Sequence, residues 1–221
     1  MARALSIASQ TAPGQRAPLG GSPRRRSDTR DRLLDNAEYL FARSSVAGVT
    51  TREITEAAGQ KNTSAVSYHF GSRDGLLLEI LSRRGAPVDA ERGLQRSELD
   101  TAPTVTELVG CLVRPYCHML TEQQGRSYLR IVAQLRGRFA AWRIESDEQT
   151  TAHLARILDE IERRPSVSAA VRRERVVALI MVLTATTAER ARLIDDGGRP
   201  ELDHDEFVAN LIDMCAALVL G

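Results

Sequence analysis

The stretch Thr50 to Gly71, TTREITEAAGQKNTSAVSYHFG, leaves few folds open. Thr50-Thr51-Arg52-Glu53 spells a capping box: the Thr50 hydroxyl can accept from the Glu53 N–H while the Glu53 carboxylate reaches back. Ile54, Ala57 and Ala58 then share one face of a short helix, and Gly59 ends it. Gln60-Lys61-Asn62 is a tight polar turn. A second short helix is expected from near Thr63 through Tyr68-His69, with Gly71 as its stop and Ser72 as the cap of the next helix. Two short helices joined by a glycine-containing turn and flanked by longer ones form a helix-turn-helix.

The flanks agree. Ser27-Asp28 is a plausible N-cap, and Leu33, Leu34, Ala37, Leu40 and Phe41 follow at helical spacing. Ser44 to Val49 breaks that pattern. After Ser72 come Leu76, Leu77, Leu78, Ile80 and Leu81. In the second short helix only Val66 is an apolar anchor, whereas Thr63, Ser64, Ala65 and Ser67 are small or polar. Short side chains let a helix backbone approach the major groove, and polar tips reach base edges. Residues 1–26 are rich in Ala, Ser, Pro, Gly and Arg and read as a disordered tail. Its closing Arg24-Arg25-Arg26 fits either a solubilising run or a phosphate-contacting arm.

TRDRLLDNAEYLFA, GVTTREITEAAG and SYHFGSRDGLL, in that order, resemble the DNA-binding domain of the TetR family of transcriptional regulators. The match covers residues 28 to about 84. It departs in one place: Gly59 to Tyr68 is one residue longer than the family spacing, which enlarges the turn at Gln60-Lys61-Asn62. The resemblance implies that Tyr68 and His69 close the recognition helix against the sugar-phosphate backbone, that Phe70 packs inward, and that Arg73 reaches a phosphate. Phosphate contacts position a protein and base-edge contacts specify sequence. The candidate base readers are therefore Asn62, Thr63, Ser64 and Ser67. Thr51 and Arg52, behind the Thr50 cap, are placed to hold another phosphate.

Charge supports a polyanion partner for this half. Residues 1–84 carry thirteen Lys/Arg against eight Asp/Glu, and the rest carries seventeen against twenty-one. Lys61 is the sole lysine, an arginine bias that suggests a high-GC bacterial genome. Cys111, Cys117 and Cys215 make no disulfide framework, no apolar run reaches membrane-spanning length, and no secretory signal opens the chain. A cytoplasmic protein is expected.

From about residue 100 the pattern is helical throughout, so the expected fold class is all-α: residues 27–84 as the three-helix DNA-binding domain and 85–221 as a helical effector-binding and dimerisation domain. Val105 to about Glu122 is one helix that Pro115 should kink or break. Tyr128, Val132, Leu135, Phe139 and Trp142 form a stripe on the next. A helix from near Asp147 stops before Pro165. Another starts near Ser168 and carries Val176 to Ala188, apolar nearly all round, which predicts full burial. Gly197-Gly198 ends it. Asp203 and Glu206 can cap a last helix whose stripe is Phe207, Leu211, Met214 and Leu218.

The family resemblance implies that the last two helices pair across a two-fold axis, with Val177, Ile180, Thr184, Phe207, Leu211, Met214 and Leu218 at the homodimer interface. It also implies an effector pocket among the middle helices, for which Tyr116, His118, Arg130, Gln134 and Trp142 are candidates. Arg130 and Gln134, one turn apart, could bind an anion or simply form a solvated face. Cys111, Cys117 and His118 do not converge as a metal site, because Cys117 lies off the face shared by the other two. Neither a cofactor nor a catalytic constellation is indicated. The reading is a ligand-responsive regulator, a repressor in the first instance, that binds a palindromic duplex operator as a homodimer. The alternatives are an activator of the same fold, a protein-binding adaptor, or an all-α enzyme using His118 and Cys111.

Overall fold

The computed structural model describes residues 23–135 and 148–221. Among them lie nine α-helices and no strand: α1 Pro23–Arg43, α2 Thr51–Ala57, α3 Ala65–Phe70, α4 Arg73–Glu98, α5 Val105–His118, α6 Gln123–Leu135, α7 Glu148–Glu162, α8 Ala169–Asp195 and α9 His204–Leu220. A 3₁₀ turn, Met119–Thr121, joins α5 to α6.

Local chemistry sets most boundaries. Complete capping boxes open α2 (Thr50/Glu53), α5 (Thr104/Glu107) and α9 (Asp203/Glu206). Gly59, at φ 68°, closes α2 with two bonds back into the last turn, Gln60 N–H to the Thr55 carbonyl at 2.8 Å and Gly59 N–H to that of Glu56 at 3.0 Å. This glycine-dependent C-cap satisfies carbonyls that the helix leaves open. Gly197 ends α8 in the same way.

The helices enclose two apolar cores. The first, a head, joins Leu33, Leu34, Ala37 and Phe41 of α1 to Ile54 of α2, Val66 of α3, Leu76 and Ile80 of α4, and Ile131 of α6. The second is larger and gathers α5 (Leu108, Leu112), α6 (Leu129), α7 (Ile157, Leu158, Ile161), α8 (Leu179, Leu183) and α9 (Leu211, Cys215, Val219), with Val88 of α4.

Several expectations are corrected. Helix α1 begins at Pro23 and not at Ser27-Asp28, since proline is well suited to a first helical position. The tail up to residue 22 lies outside the described residues, as do Phe139 and Trp142. Helix α4 runs unbroken from Arg73 to Glu98 through Gly85 and Pro87, so a boundary at 84/85 falls inside one helix shared by both cores. Pro115 does not break α5, which continues to His118. The ring sits in the last turn, where only the Cys111 carbonyl loses its intrahelical donor. Helix α8 is not buried all round. Val176, Leu179, Ile180, Leu183, Thr184, Thr187 and Ala191 face the core, while Val177, Met181, Ala185 and Ala188 remain partly or fully exposed.

Candidate nucleic-acid interface

Helix α2 hangs from its cap. The Thr50 hydroxyl accepts from Glu53 N–H at 3.3 Å, and the Glu53 carboxylate accepts from Thr50 N–H and hydroxyl, each at 2.7 Å. Those bonds, the backbone one first, hold the Glu53 carboxyl below its ordinary range. Ile54 and Thr55 turn inward. Arg52 projects into solvent and pairs with Glu56 at 2.7 Å, an exposed i,i+4 pair that a phosphate could readily displace.

The connection Ala58–Ser64 is longer than a three- or four-residue turn. Asn62 organises it: its side-chain oxygen accepts from Ser64 N–H at 2.9 Å, and its carbonyl accepts from Ala65 N–H at 3.1 Å. That Asx turn starts α3 at Ala65, two residues later than expected. Only Ala65 and Val66 of α3 are buried. Thr63, Ser64, Ser67 and Tyr68 are exposed, and His69 is half-buried with its ring edge-on to Tyr68 at 5.0 Å. Phe70 packs against the head core beneath the Arg30 guanidinium, 5.1 Å from its centroid. Gly71, at φ 75°, ends the helix, and the Ser72 hydroxyl accepts from Gly75 N–H to begin α4.

The outward surface of α2, the connection and α3 thus brings together Thr50, Arg52, Asn62, Thr63, Ser64, Ser67 and Tyr68, with Thr51 and His69 at its edge. Lys61, exposed in the same connection, joins them. Its charge was the one signal that could have marked it.

Arg73 does not join. Its Nε donates to the Val49 carbonyl at 2.8 Å, its guanidinium lies over the Phe41 ring at 5.0 Å, and Nη2 is buried. Arg73 straps the start of α4 to the α1–α2 loop, because the Val49 carbonyl at the loop's end needs a donor.

The pocket candidates do not converge. Tyr116 is 3% exposed inside the large core, whereas His118 is exposed on the outer surface. Arg130 shares Asp195 with Arg126, at 3.3 and 2.6 Å, tying α6 to the end of α8. Gln134 is a strut: its Oε1 accepts from Val46 N–H at 2.7 Å and its Nε2 donates to the Phe41 carbonyl at 2.8 Å. Arg130 and Gln134 do border one open groove of about 930 Å³, which also takes in Arg43, Ser45, Met181 and Arg192.

The interface candidates divide. Ile180, Thr184, Phe207 and Leu211 are buried within the protomer, Leu211 at 1% exposure. Val177, Met214 and Leu218 are 38%, 44% and 37% exposed. Of the α9 stripe, Phe207 and Leu211 are covered by the protomer itself and Met214 and Leu218 are open. Among the described residues, no group of three or more His, Cys, Asp or Glu could hold a metal ion, and no helix is long and apolar enough to cross a membrane.

Comparison with known proteins agrees with this layout. Residues 33–80 match the family model described as bacterial regulatory proteins, tetR family, and residues 110–217 match a tetracyclin repressor-like C-terminal domain. The HTH-type transcriptional repressor AcnR of Corynebacterium glutamicum is 27% identical over 146 residues, 64% of this chain and 72% of that protein. Among solved structures, NalD of Pseudomonas aeruginosa, the secondary repressor of the MexAB-OprM multidrug efflux pump, superposes with a TM-score of 0.57 at 20% identity. It covers 87% of this chain and 95% of its own. Mycobacterium smegmatis AmtR superposes with a TM-score of 0.54 at 15% identity, over 93% and 89%.

Proposed function

Because the chain belongs to the tetR family of bacterial regulatory proteins, and so is a DNA-binding transcriptional regulator rather than an enzyme, we propose that it is a repressor that grips a palindromic operator as a homodimer and releases it on binding a small molecule. The observation that carries this reading is α3: a helix that buries only Ala65 and Val66 and offers Ser64, Ser67 and Tyr68 to solvent beside Arg52 and Lys61. In this reading Thr63, Ser64 and Ser67 meet base edges. Thr50, Thr51, Arg52, Tyr68 and His69 hold the backbone. Asn62, whose side chain already organises the turn, sets the register of α3 and reads bases only through its remaining amide capacity. Arg73 acts from within the head.

Residues as far as the first half of α4 read DNA, and the rest senses ligand and dimerises. Val177, Met181, Met214 and Leu218 face the two-fold mate. Release is a population shift, and it requires that the ligand bind the non-operator arrangement more tightly than the operator-bound one. The site of action is the cytoplasm of a bacterial cell.

Selection of bound duplexes from a random library tests the reading. The expected product is an inverted repeat whose affinity falls steeply with salt as phosphate contacts release counterions. Enrichment of no sequence at low salt would overturn it.

A further inference from the structure

Inside the large core, five helices bring together polar groups that the DNA-reading surface does not use. Asp89 and Arg92 lie one turn apart on α4, Tyr116 comes from α5, Tyr128 from α6, and Thr187 from α8. The second turn of α7 closes the ring, with His153 N–H and Leu154 N–H donating to the Asp89 carboxylate at 2.9 and 2.8 Å. Gly85, Asp89 and Gly93 follow each other at four-residue intervals on the same face of α4. A β-carbon on Gly85 would lie 3.1 Å from the Tyr128 hydroxyl, and one on Gly93 would press on the His153 ring at 2.5 Å. The two glycines thus let the tyrosine and histidine close against the α4 backbone on either side of Asp89.

This cluster is not fully hydrogen-bonded. Arg92 is 7% exposed, yet its nearest approach to Asp89 is 3.7 Å, beyond hydrogen-bond range. Asp89 is already committed to the two N–H groups of α7. Arg92 Nε has no hydrogen-bond partner among the described residues, and neither does the Tyr116 hydroxyl. Thr187 faces that hydroxyl but gives its own proton to the Leu183 carbonyl at 2.8 Å. The Arg92 guanidinium lies 5.9 Å from the Tyr116 ring centroid, and the Tyr116 and Tyr128 rings are 6.3 Å apart. An arginine Nε and a tyrosine hydroxyl buried without a hydrogen bond are costly to a core unless something else satisfies them.

We infer that this cluster is the recognition end of the effector site, and that the effector is a small organic monoacid whose carboxylate takes the open edge of Arg92 and the Tyr116 hydroxyl. The inference rests on the ligand-responsive reading above and names the ligand class. A guanidinium edge matches the planar, two-oxygen geometry of a carboxylate. Asp89 and Arg92 already offset each other in charge, so what the acid gains is the unused donor capacity of Arg92 Nε and the Tyr116 hydroxyl. The surrounding side chains, among them Val88, Leu112 and Leu154, belong to the same apolar core and suit an apolar body behind the acid.

Thermal melting of the full-length protein decides it, with benzoate and hexanoate each set against its own amide, and inorganic phosphate as a further arm. A ligand that binds only the folded state raises the melting temperature with concentration. At least one acid is expected to do so while its amide does not. Arg92→Gln should remove the distinction, weakening the acid by about tenfold or more, the worth of a charged hydrogen bond. Tyr116→Phe deletes one hydroxyl from the core and keeps the ring; it should fold as the wild type does and still lose acid affinity. Equal shifts from acid and amide, a shift from phosphate alone, no shift from either acid, or full acid affinity in Tyr116→Phe would overturn the inference. None of these outcomes touches operator selection, so a failure here leaves the DNA-binding reading standing, and a failure there is seen separately.

Discussion

Replacing Gln134 with alanine should loosen the joint between the head and the rest of the chain. Its amide makes two bonds to α1 and the loop after it, with Val46 N–H at 2.7 Å and the Phe41 carbonyl at 2.8 Å. The Phe41 carbonyl belongs to the last turn of α1, where helical carbonyls lack intrahelical donors. Val46 and Phe41 are both buried, so neither backbone group regains a full water shell when the amide goes. A net hydrogen bond is worth about 0.5–1.5 kcal/mol, and stranding a buried partner raises the cost to about 1–3 kcal/mol. Gln134 itself is exposed, and water will reach part of the vacated space. The pair together should therefore be worth about 2 kcal/mol, or a fall of about 4–8 °C in melting temperature for a chain of this size. Gln134→Glu separates the two bonds, since a carboxylate can accept from Val46 N–H but cannot donate to the Phe41 carbonyl. It should lose at least half of that amount. Urea titration followed by far-ultraviolet circular dichroism measures both variants, and amide exchange at Val46 reports the joint directly. Unchanged stability in Gln134→Ala would mean that apolar packing of α6, Ile131 foremost, and not the amide carries its side of the joint. Unchanged stability with an altered ligand response would return Gln134 to the effector pocket.

Met214→Arg with Leu218→Arg should yield a monomer of full helix content, while Leu211→Glu should bury a charge at a cost of several kcal/mol and unfold the chain; sedimentation velocity and circular dichroism separate the two results. Arg52→Ala should weaken every duplex alike and shallow the salt slope by about 1 in a gel-shift series. Arg73→Ala should instead lower the melting temperature through loss of its bond to the Val49 carbonyl and its stacking on Phe41, worth about 1–3 kcal/mol together. Glu53 and Glu107 are held below the ordinary carboxylate range, first by the backbone N–H groups of Thr50 and Thr104. A depressed native pKa gives stability that is present above the unfolded value and lost as pH falls through the native one. The Glu53→Gln, Glu107→Gln double variant should therefore flatten the acid limb of stability below pH 4.5, their ordinary value, in urea melts.

Local chemistry was legible in the sequence and tertiary choice was not. Thr50/Glu53 and Asp203/Glu206 could be read as caps because each pair closes on itself within one turn, and Gly59 and Gly71 as stops because the chain reverses there with positive φ. Arg73 and Gln134 looked like ligands for outside partners because sequence shows the charge or amide and not the carbonyl that claims it. Leu211 and Met214 share one apolar stripe, yet they differ in burial because a stripe does not say how much of its width the protomer itself covers. The boundary expected after residue 84 falls inside α4, because buried Leu76 and Ile80 on one side and Val88 on the other hold a single helix through Gly85 and Pro87. The pairing of Arg92 with no close acceptor has no local signature at all.

The shared helix α4 and the strut on α6 together attach the head at two separate places. A body held at one point swings freely. A body held at two takes its orientation from the difference between its supports, as the coupler bar of a linkage does. Helices α4 and α6 pack against each other, and packed helices lie about 10 Å apart. A slide of about 1 Å of α6 along α4 would therefore turn the head by roughly 6°, with neither helix bending. In a two-fold pair the mate turns by the same angle in the opposite sense, so the distance between the two reading helices registers the displacement twice. Sub-ångström repacking around Arg92 and Tyr116 then has a geometric gain available to it, set by the narrow spacing of the two supports.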